Sequence, residues 1–305
     1  MKSPSFLYVR PESFDAVFAL LAEYGDDAKI LAGGQSLLPS LNMRLSAPAV
    51  LIDISLLQEL KEIKEVKNIE DSNKAKDTLH VGALVKYCEI ETSSLIETYA
   101  PLLYRALPFV AHKAVRSRGT FGGSIAFADA ASETPAMTLA HEAIFVLRSA
   151  LGERRVRADD FFLGLYETAI QPNEILVRAE FKKPHLGQRC VFREIMRRKG
   201  DYATVGLGIR GYINQDICQD LRIVYFAVAD KPLVSTRVVE VLRNRKMDTA
   251  GIDFAISYLE EDIQVYGDTY HDEHTKMHLI RVLLKRSLLE LIQMEYAPTE
   301  GSENV

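Results

Sequence analysis

The chain has 305 residues, 48% of them hydrophobic, and a formal net charge of −5. That is enough apolar material for a substantial core spread over two domains, and the acidic balance gives no footing for a nucleic-acid partner. The three cysteines, Cys88, Cys190 and Cys218, lie far apart with no Cys-x-x-Cys pair, which argues against an iron–sulfur cluster, a structural zinc or a secreted disulfide framework built from this chain. No apolar run reaches the roughly 18 residues of a membrane span. The first residues, MKSPSFLYVRPESF, contain no signal-peptide core, so the expected location is cytoplasmic.

In chain order, residues 11–25 are predicted to form a helix. Phe14, Val17, Phe18 and Leu21 recur at i, i+3, i+4 and i+7, with Ser13 as N-cap and Gly25 as stop. Strands follow at Ala28–Ala32, which runs straight into Gly33-Gly34, and at Val50–Ile54. Leu60–Val66 and Thr78–Ala83 read as strands around a polar hairpin tip, Asn68–Asp77. Leu84–Tyr99 reads as helix, and Pro101–Ala114 as a second apolar segment leading to glycines near Gly119. Ala143–Arg148, Arg154–Arg157 and Glu174–Phe181 read as strands. Pro184-His185-Leu186-Gly187 is the linker candidate. Beyond it, strand-like runs at Cys190–Ile195, Ala203–Tyr212 and Leu221–Val228 precede helices. The last of these, from about Glu273, carries Met277, Ile280, Leu284, Leu288 and Leu291 on one stripe. Strands followed by a block of helices suggest an α+β domain. Residues 296–305 read as a disordered tail.

Two glycine-rich stretches carry the chemical signal. Leu31-Ala32-Gly33-Gly34-Gln35-Ser36-Leu37 follows a strand directly. Consecutive glycines can take φ > 0, so that successive N–H groups converge on an anion. Thr120-Phe121-Gly122-Gly123-Ser124-Ile125 offers two more glycines flanked by hydroxyls. Two separated backbone cradles suit a long ligand with a central pyrophosphate. Neither stretch matches the dinucleotide or phosphate-loop signatures, and each alone reads as an ordinary tight turn. Lys113, Arg116 and Arg118 form a basic cluster read as a solvated face. His271, His274 and His278 have the spacing of one helix face. They lack the glutamate of a zinc protease and are read as partly exposed surface.

In combination four segments are more specific. AGGQSLLPSLNMRLSAPAVLIDIS (residues 32–55), RSRGTFGGSIAFADAASETPA (116–136), DDFFLGLYETAIQPNEIL (159–176) and FREIMRRKGDYATVGLG (192–208) together resemble the flavin-binding subunits of molybdenum hydroxylases, the xanthine dehydrogenase family. The resemblance covers most of the chain and implies a fold. That fold is an α+β, two-part FAD-binding domain of the vanillyl-alcohol-oxidase/PCMH type at 1–183 (subdomains about 1–56 and 57–183), then a smaller α+β C-terminal domain at 187–295. It also implies an oxidoreductase subunit that takes electrons from partner iron–sulfur clusters through FAD to an external acceptor. Molybdenum cofactor and clusters would reside in a large and a small partner subunit, in a dimer of heterotrimers. The alternative is a self-contained flavin oxidoreductase of the same fold.

The resemblance further implies residue roles. Leu31, Ala32, Gly33, Gly34, Gln35, Ser36 and Leu37 would wrap the FAD pyrophosphate through main-chain amides. Thr120, Gly122, Gly123 and Ser124 would contact pyrophosphate and ribityl. Glu133, with Asp129 as its rival, would accept from sugar hydroxyls. Val110 and Leu176 would contact the cofactor, the latter at the adenine or ring edge. Arg193 would stabilise the anionic reduced flavin, and Tyr202 would pack on the isoalloxazine unless it is a core aromatic at the domain junction.

Overall fold

The computed structural model describes residues 2–67 and 77–294. The chain builds five layers, and the alternation of side chains along its strands explains their order. The first layer is a parallel sheet of β1 (Leu7–Val9), β2 (Ala28–Leu31) and β3 (Val50–Asp53), with β3 central. Helix Phe14–Tyr24 covers it through Phe14, Val17, Phe18 and Leu21, all buried. Ser13 Oγ accepts from the Ala16 N–H at 3.3 Å to start this helix. Gly25, at φ 52°, ends it, in a conformation that costs glycine little.

The second layer is an antiparallel sheet of β4 (Ile63–Val66), β5 (Thr78–Gly82), β6 (Ile144–Ser149), β7 (Gly152–Arg157) and β10 (Ile175–Lys182), in the order β4-β5-β10-β6-β7. The short hairpin β8 (Phe162–Gly164) with β9 (Glu167–Thr168) stands apart from it. Both faces of the large sheet are buried. Val146, Ile175 and Val177 pack towards the N-terminal unit, whereas Phe145, Leu147, Leu176 and Phe181 pack towards a helical layer. That third layer includes helices Pro101–Ala106, Phe121–Phe127 and Glu133–Ala140.

The fourth layer is an antiparallel sheet, β11 (Arg189–Met196), β12 (Ala203–Asn214), β13 (Ile217–Phe226) and β14 (Leu233–Val234) in that order. It too is covered twice. Val191, Val205, Leu207, Ile209, Ile223 and Tyr225 face the C-terminal helices, while Cys190, Ala203, Val224 and Phe226 face the helical layer. The last layer centres on helix Glu273–Gln293, which buries Ile280, Leu284, Leu288 and Leu291, as its stripe predicted. Met277 is partly buried on the same core.

Several local expectations need correction. Leu84–Tyr99 is not one helix: Tyr87–Ile90 and Ser94–Tyr99 are separate, because Ser93 Oγ accepts from the Ile96 N–H (3.3 Å) and caps a new start. Strand β4 begins only at Ile63, since Gln58–Lys61 forms a 3-10 turn that buries Leu60. The β12–β13 turn reaches back to Gln215 and Asp216, both at positive φ (48° and 62°), so β13 starts before Leu221. Helix Glu273–Gln293 is capped by Asp272, which leaves His271 outside it; the three histidines do not share a helix face. Residues 68–76 of the predicted hairpin tip, and the predicted tail, lie outside the described residues. Among the described residues no helix is long and apolar enough to cross a membrane.

The basic cluster also divides. Lys113 and Arg118 are exposed. Arg116, by contrast, is 5% exposed. It pairs with Glu91 at 3.2 Å and donates to the carbonyls of Val110 (2.9 Å) and Ala111 (3.0 Å). It is a strut that ties the loop before Gly119 to the loop after helix Tyr87–Ile90.

Two substitutions test this layering. A β-carbon on Gly206 would sit 2.1 Å from the Phe226 ring. Gly206→Val should therefore destabilise the fold by about 1–3 kcal/mol or more through overpacking, read as a lowered Tm in thermal unfolding. Arg116→Met leaves two buried carbonyls without their donor and should cost about 1–3 kcal/mol. A Tm equal to the parent's would remove Arg116 from the structural account.

Candidate functional site: a cleft closed by backbone contact at Gly33

The N-terminal unit and the helical layer meet where β2 ends. Leu31 is its last residue, and the chain then turns through residues 32–36 before the short helix Leu37–Asn42. A β-carbon on Gly33 would lie 2.5 Å from the Arg118 carbonyl oxygen, 2.9 Å from Gly119 Cα and 2.9 Å from the Thr120 nitrogen. No side chain fits there. The two glycine-rich segments, 85 residues apart in sequence, are thus pressed together backbone to backbone.

The first segment is the one with free donors. Among the described residues, the main-chain N–H groups of Gly33, Gly34, Gln35 and Ser36 have no acceptor within the protein. Gln35 folds back to donate its side-chain amide to the Gly33 carbonyl at 3.2 Å. Gly34 takes φ 71°, which turns successive amides to one side. A row of unmatched N–H groups on a partly exposed turn suits an anionic ligand that accepts hydrogen bonds.

The second segment plays a different part from the one its glycines suggest. Gly33, Gly122 and Gly123 are not at positive φ; of the four paired glycines only Gly34 is. Gly122 donates its N–H to the Ala83 carbonyl (2.8 Å), and a β-carbon on it would lie 2.4 Å from Ala83 Cβ. The Gly123 N–H goes to Thr120 Oγ1 at 3.3 Å, an N-cap bond for helix Phe121–Phe127. Glycine is needed here for close packing, and the two amides are satisfied internally. Ser124 Oγ lies 3.1 Å from Ser132 Oγ, and the Thr134 hydroxyl donates to Tyr87 Oη at 3.1 Å.

Acidic groups gather beside these hydroxyls. Asp129 Oδ1 accepts from the Ala131 N–H at 3.0 Å and holds the turn before helix Glu133–Ala140. Ala130 is anchored by its carbonyl, which accepts from the Ala227 N–H (2.9 Å). Glu133 is 6% exposed. Burial pushes its carboxyl up to about 7, and the Asp129 charge adds to the effect. Tyr202 is 72% exposed and is therefore no core aromatic. Tyr166, its neighbour around Asp129, packs on Phe127 at 4.9 Å.

Three expected residues are held in contacts within the protein. Val110 and Leu176 are 7% and 5% exposed and belong to the apolar core. Arg193 points to the opposite face of the fourth-layer sheet, where its Nε donates to Glu290 at 2.8 Å. Strand alternation is the reason: Val191, Arg193 and Ile195 face the C-terminal helices, so Phe192 and Glu194 face the helical layer. Glu194 is the residue that sequence reasoning missed. Neither of its carboxylate oxygens has a hydrogen-bond partner, and burial with the nearby Glu133 charge lifts it to about 8. The alternation starting from Val191 was the available signal.

With this geometry established, comparison with known proteins identifies the class. Residues 4–181 match the model of the FAD binding domain in molybdopterin dehydrogenase, and residues 190–291 match the CO dehydrogenase flavoprotein C-terminal domain. The chain belongs to this family, the FAD-binding flavoproteins of the xanthine-dehydrogenase type of molybdenum hydroxylase; it is an oxidoreductase component and its cofactor is FAD. It is 32% identical to the 6-hydroxypseudooxynicotine dehydrogenase complex subunit alpha of Paenarthrobacter nicotinovorans, over 99% of each chain. It is 33% identical to the carbon monoxide dehydrogenase medium chain of Hydrogenophaga pseudoflava, over 94% of this chain and 97% of that one. The solved carbon monoxide dehydrogenase of H. pseudoflava superposes with a TM-score of 0.88 at 32% identity, covering 96% of this chain and 99% of that one. Quinoline 2-oxidoreductase from Pseudomonas putida 86 gives 0.87 at 34% identity, with the same coverage.

The residues fit the cofactor. The free amides at 33–36 can hold a pyrophosphate, and the close approach at Gly33 leaves no side chain in the way. Gly33→Ala should push the two segments apart. Its expected outcome is at least roughly tenfold weaker FAD binding, since several donors to a charged group are displaced together. Flavin content after purification, with an unchanged far-ultraviolet circular dichroism spectrum, is the measurement.

Proposed function

We propose that this chain passes electrons from iron–sulfur clusters of a small partner subunit through FAD to an external acceptor, while a large partner subunit holds the molybdenum cofactor and carries out the hydroxylation. The observation that carries the reading is the row of free amides at 33–36, set against the second segment by the contact at Gly33. Such a site binds and orients a cofactor. Two-electron redox chemistry is what the bound flavin supplies.

In this reading Gly33, Gly34, Gln35 and Ser36 donate to the pyrophosphate, with Leu31, Ala32 and Leu37 framing the turn. Thr120 and Ser124 offer hydroxyls beside it. Glu133 accepts from sugar hydroxyls, and Asp129 holds the turn that places Glu133. Tyr202, exposed on the surface, covers the isoalloxazine. Arg193 is left out, because Glu290 holds it on the far face. The units proposed are 1–56, 57–183 and 187–295, in support of which three apolar clusters divide along similar lines. The complex is a dimer of heterotrimers in the cytoplasm.

The test uses the chain co-expressed with its two partner subunits. Flavin absorbance bands and heat-released FAD are expected in the complex, and substrate should bleach the flavin only when all three subunits are present. Bleaching by the isolated chain with substrate would replace this reading with a self-contained flavoenzyme. No bound FAD even in the full complex would overturn it.

A further inference from the structure

The turn that carries Asp129 is held from outside the helical layer. It runs from Ala128 to Ser132, between helices Phe121–Phe127 and Glu133–Ala140. Its local bonds join the Ala128 N–H to the Ser124 carbonyl, the Ala131 N–H to Asp129 Oδ1 and the Ser132 N–H to the Asp129 carbonyl, each at 3.0 Å. A further bond leaves the turn for the fourth layer: the Ala130 carbonyl accepts from the Ala227 N–H at 2.9 Å. Ala227 directly follows β13 and takes φ 61°, as Ala128 takes φ 52°. A residue with a side chain is disfavoured in this left-handed region and persists there only where its surroundings over-determine the backbone.

At Ala227 that constraint comes from the fifth layer. Lys276, in the first turn of helix Glu273–Gln293, is 6% exposed. Its Nζ donates to the Ala227 carbonyl at 3.0 Å and meets Asp268 Oδ2 at 2.8 Å. Asp268 is fixed in turn. Its Oδ1 accepts from the N–H groups of Tyr270 (2.8 Å) and His271 (2.9 Å), and its own N–H donates to the His271 carbonyl (2.8 Å). The Tyr266 N–H donates to the Val228 carbonyl at 2.7 Å, which clamps this loop onto the residues after β13. Arg197, on the β11–β12 connection that also carries Tyr202, lies 5.1 Å over the Tyr270 ring. Lysine is among the residues least often buried, and the cost of desolvating this one is offset by one carboxylate and one carbonyl. What those two bonds determine is the place of the Ala227 peptide.

We propose that Lys276 is a positioning residue of the FAD site, acting through the Ala227 peptide to hold the Ala128–Ser132 turn and with it Asp129 and Glu133. The inference rests on the reading that Glu133, placed by this turn, accepts from the sugar hydroxyls of FAD. The ammonium bonds to Ala227 and Asp268, so its influence reaches the site through main-chain bonds. Without it the buried Ala227 carbonyl loses this donor. A left-handed alanine is then free to relax, and the Ala130 carbonyl is released with it. Glu133 opens the helix that starts one residue after the turn, so a relaxed turn displaces the carboxylate meant to meet the ligand. Such support of a binding group from behind is what holds its geometry before the ligand arrives.

The experiment has two readouts on the full-length chain, one of them independent of FAD. In Lys276→Met without FAD, deuterium exchange followed by mass spectrometry should speed up roughly tenfold in peptides covering residues 128–133 and 225–229. FAD affinity, followed by quenching of flavin fluorescence, should weaken roughly tenfold. Ile280→Val is the control. It lies one turn further along the same helix, fully buried against the C-terminal core. It lowers stability, and its FAD affinity should stay within about twofold of the parent's. If Lys276→Met does not fold, Asp268→Asn keeps an Oδ1 acceptor, removes the charge that anchors Lys276, and should move both readouts the same way. Equal losses of FAD affinity in Lys276→Met and Ile280→Val would make Lys276 a support of the fold alone and overturn the proposal. So would faster exchange at both turns with FAD affinity unchanged, where Asp129→Asn does weaken FAD binding. If Asp129→Asn also leaves FAD affinity unchanged, the reading that places FAD at this turn has failed, and the proposal falls with it.

Discussion

The structure turns on the contact at Gly33. A main-chain turn from the N-terminal unit lies directly on the backbone of residues 118–120, and a single β-carbon would separate them. Several other features serve that contact. Arg116, held by Glu91 and by two carbonyls, fixes the approach of the second segment. Gly122 drops that segment onto Ala83, and Ala83 in turn donates its N–H to Val177 of β10. The position of the free amides at 33–36 is therefore set by the large antiparallel sheet, two layers of contact away. Backbone packed on backbone has few soft degrees of freedom, so the donors are preorganised at little further entropic cost when a ligand arrives.

The same tight packing shows what was legible in the sequence. Elements with one buried face were readable: helix Phe14–Tyr24 and helix Glu273–Gln293 each show their stripe. Strands buried on both faces carry no such alternation. β11 reads as a mixed run of apolar and charged residues because one face meets the helical layer and the other meets the C-terminal helices. Its composition does not separate inward from outward residues; the alternation counted from Val191 assigns Arg193 to the outer face and Glu194 to the inner one. Arg116 was misread for a related reason. A four-residue helix has no periodicity to show which way its arginine points, and its partner Glu91 is 25 residues away. The glycine pairs were legible as special positions. Their division of labour was not, since φ > 0, close approach and free amides all select the same residue type.

The two-sided burial of the fourth-layer sheet has a functional consequence. Met137 of helix Glu133–Ala140 packs within 2.7 Å of where a Gly208 β-carbon would stand, and Glu133 opens that same helix. The other face of the sheet carries Arg193, locked to Glu290. Glu194 and two residues of the outer helix, Arg286 and Glu290, line one cavity beside β11. Close-packed interiors transmit displacement rather than absorb it. A shift of the outer helix would move β11, and with β11 Glu194, whose two carboxylate oxygens have no hydrogen-bond partner among the described residues. The positions of lowest tolerance in this fold are accordingly the glycines pressed against backbone, Gly33 on residues 118–120 and Gly82 on Leu60, whereas at Gly206 and Gly208 the neighbours are the side chains of Phe226 and Met137.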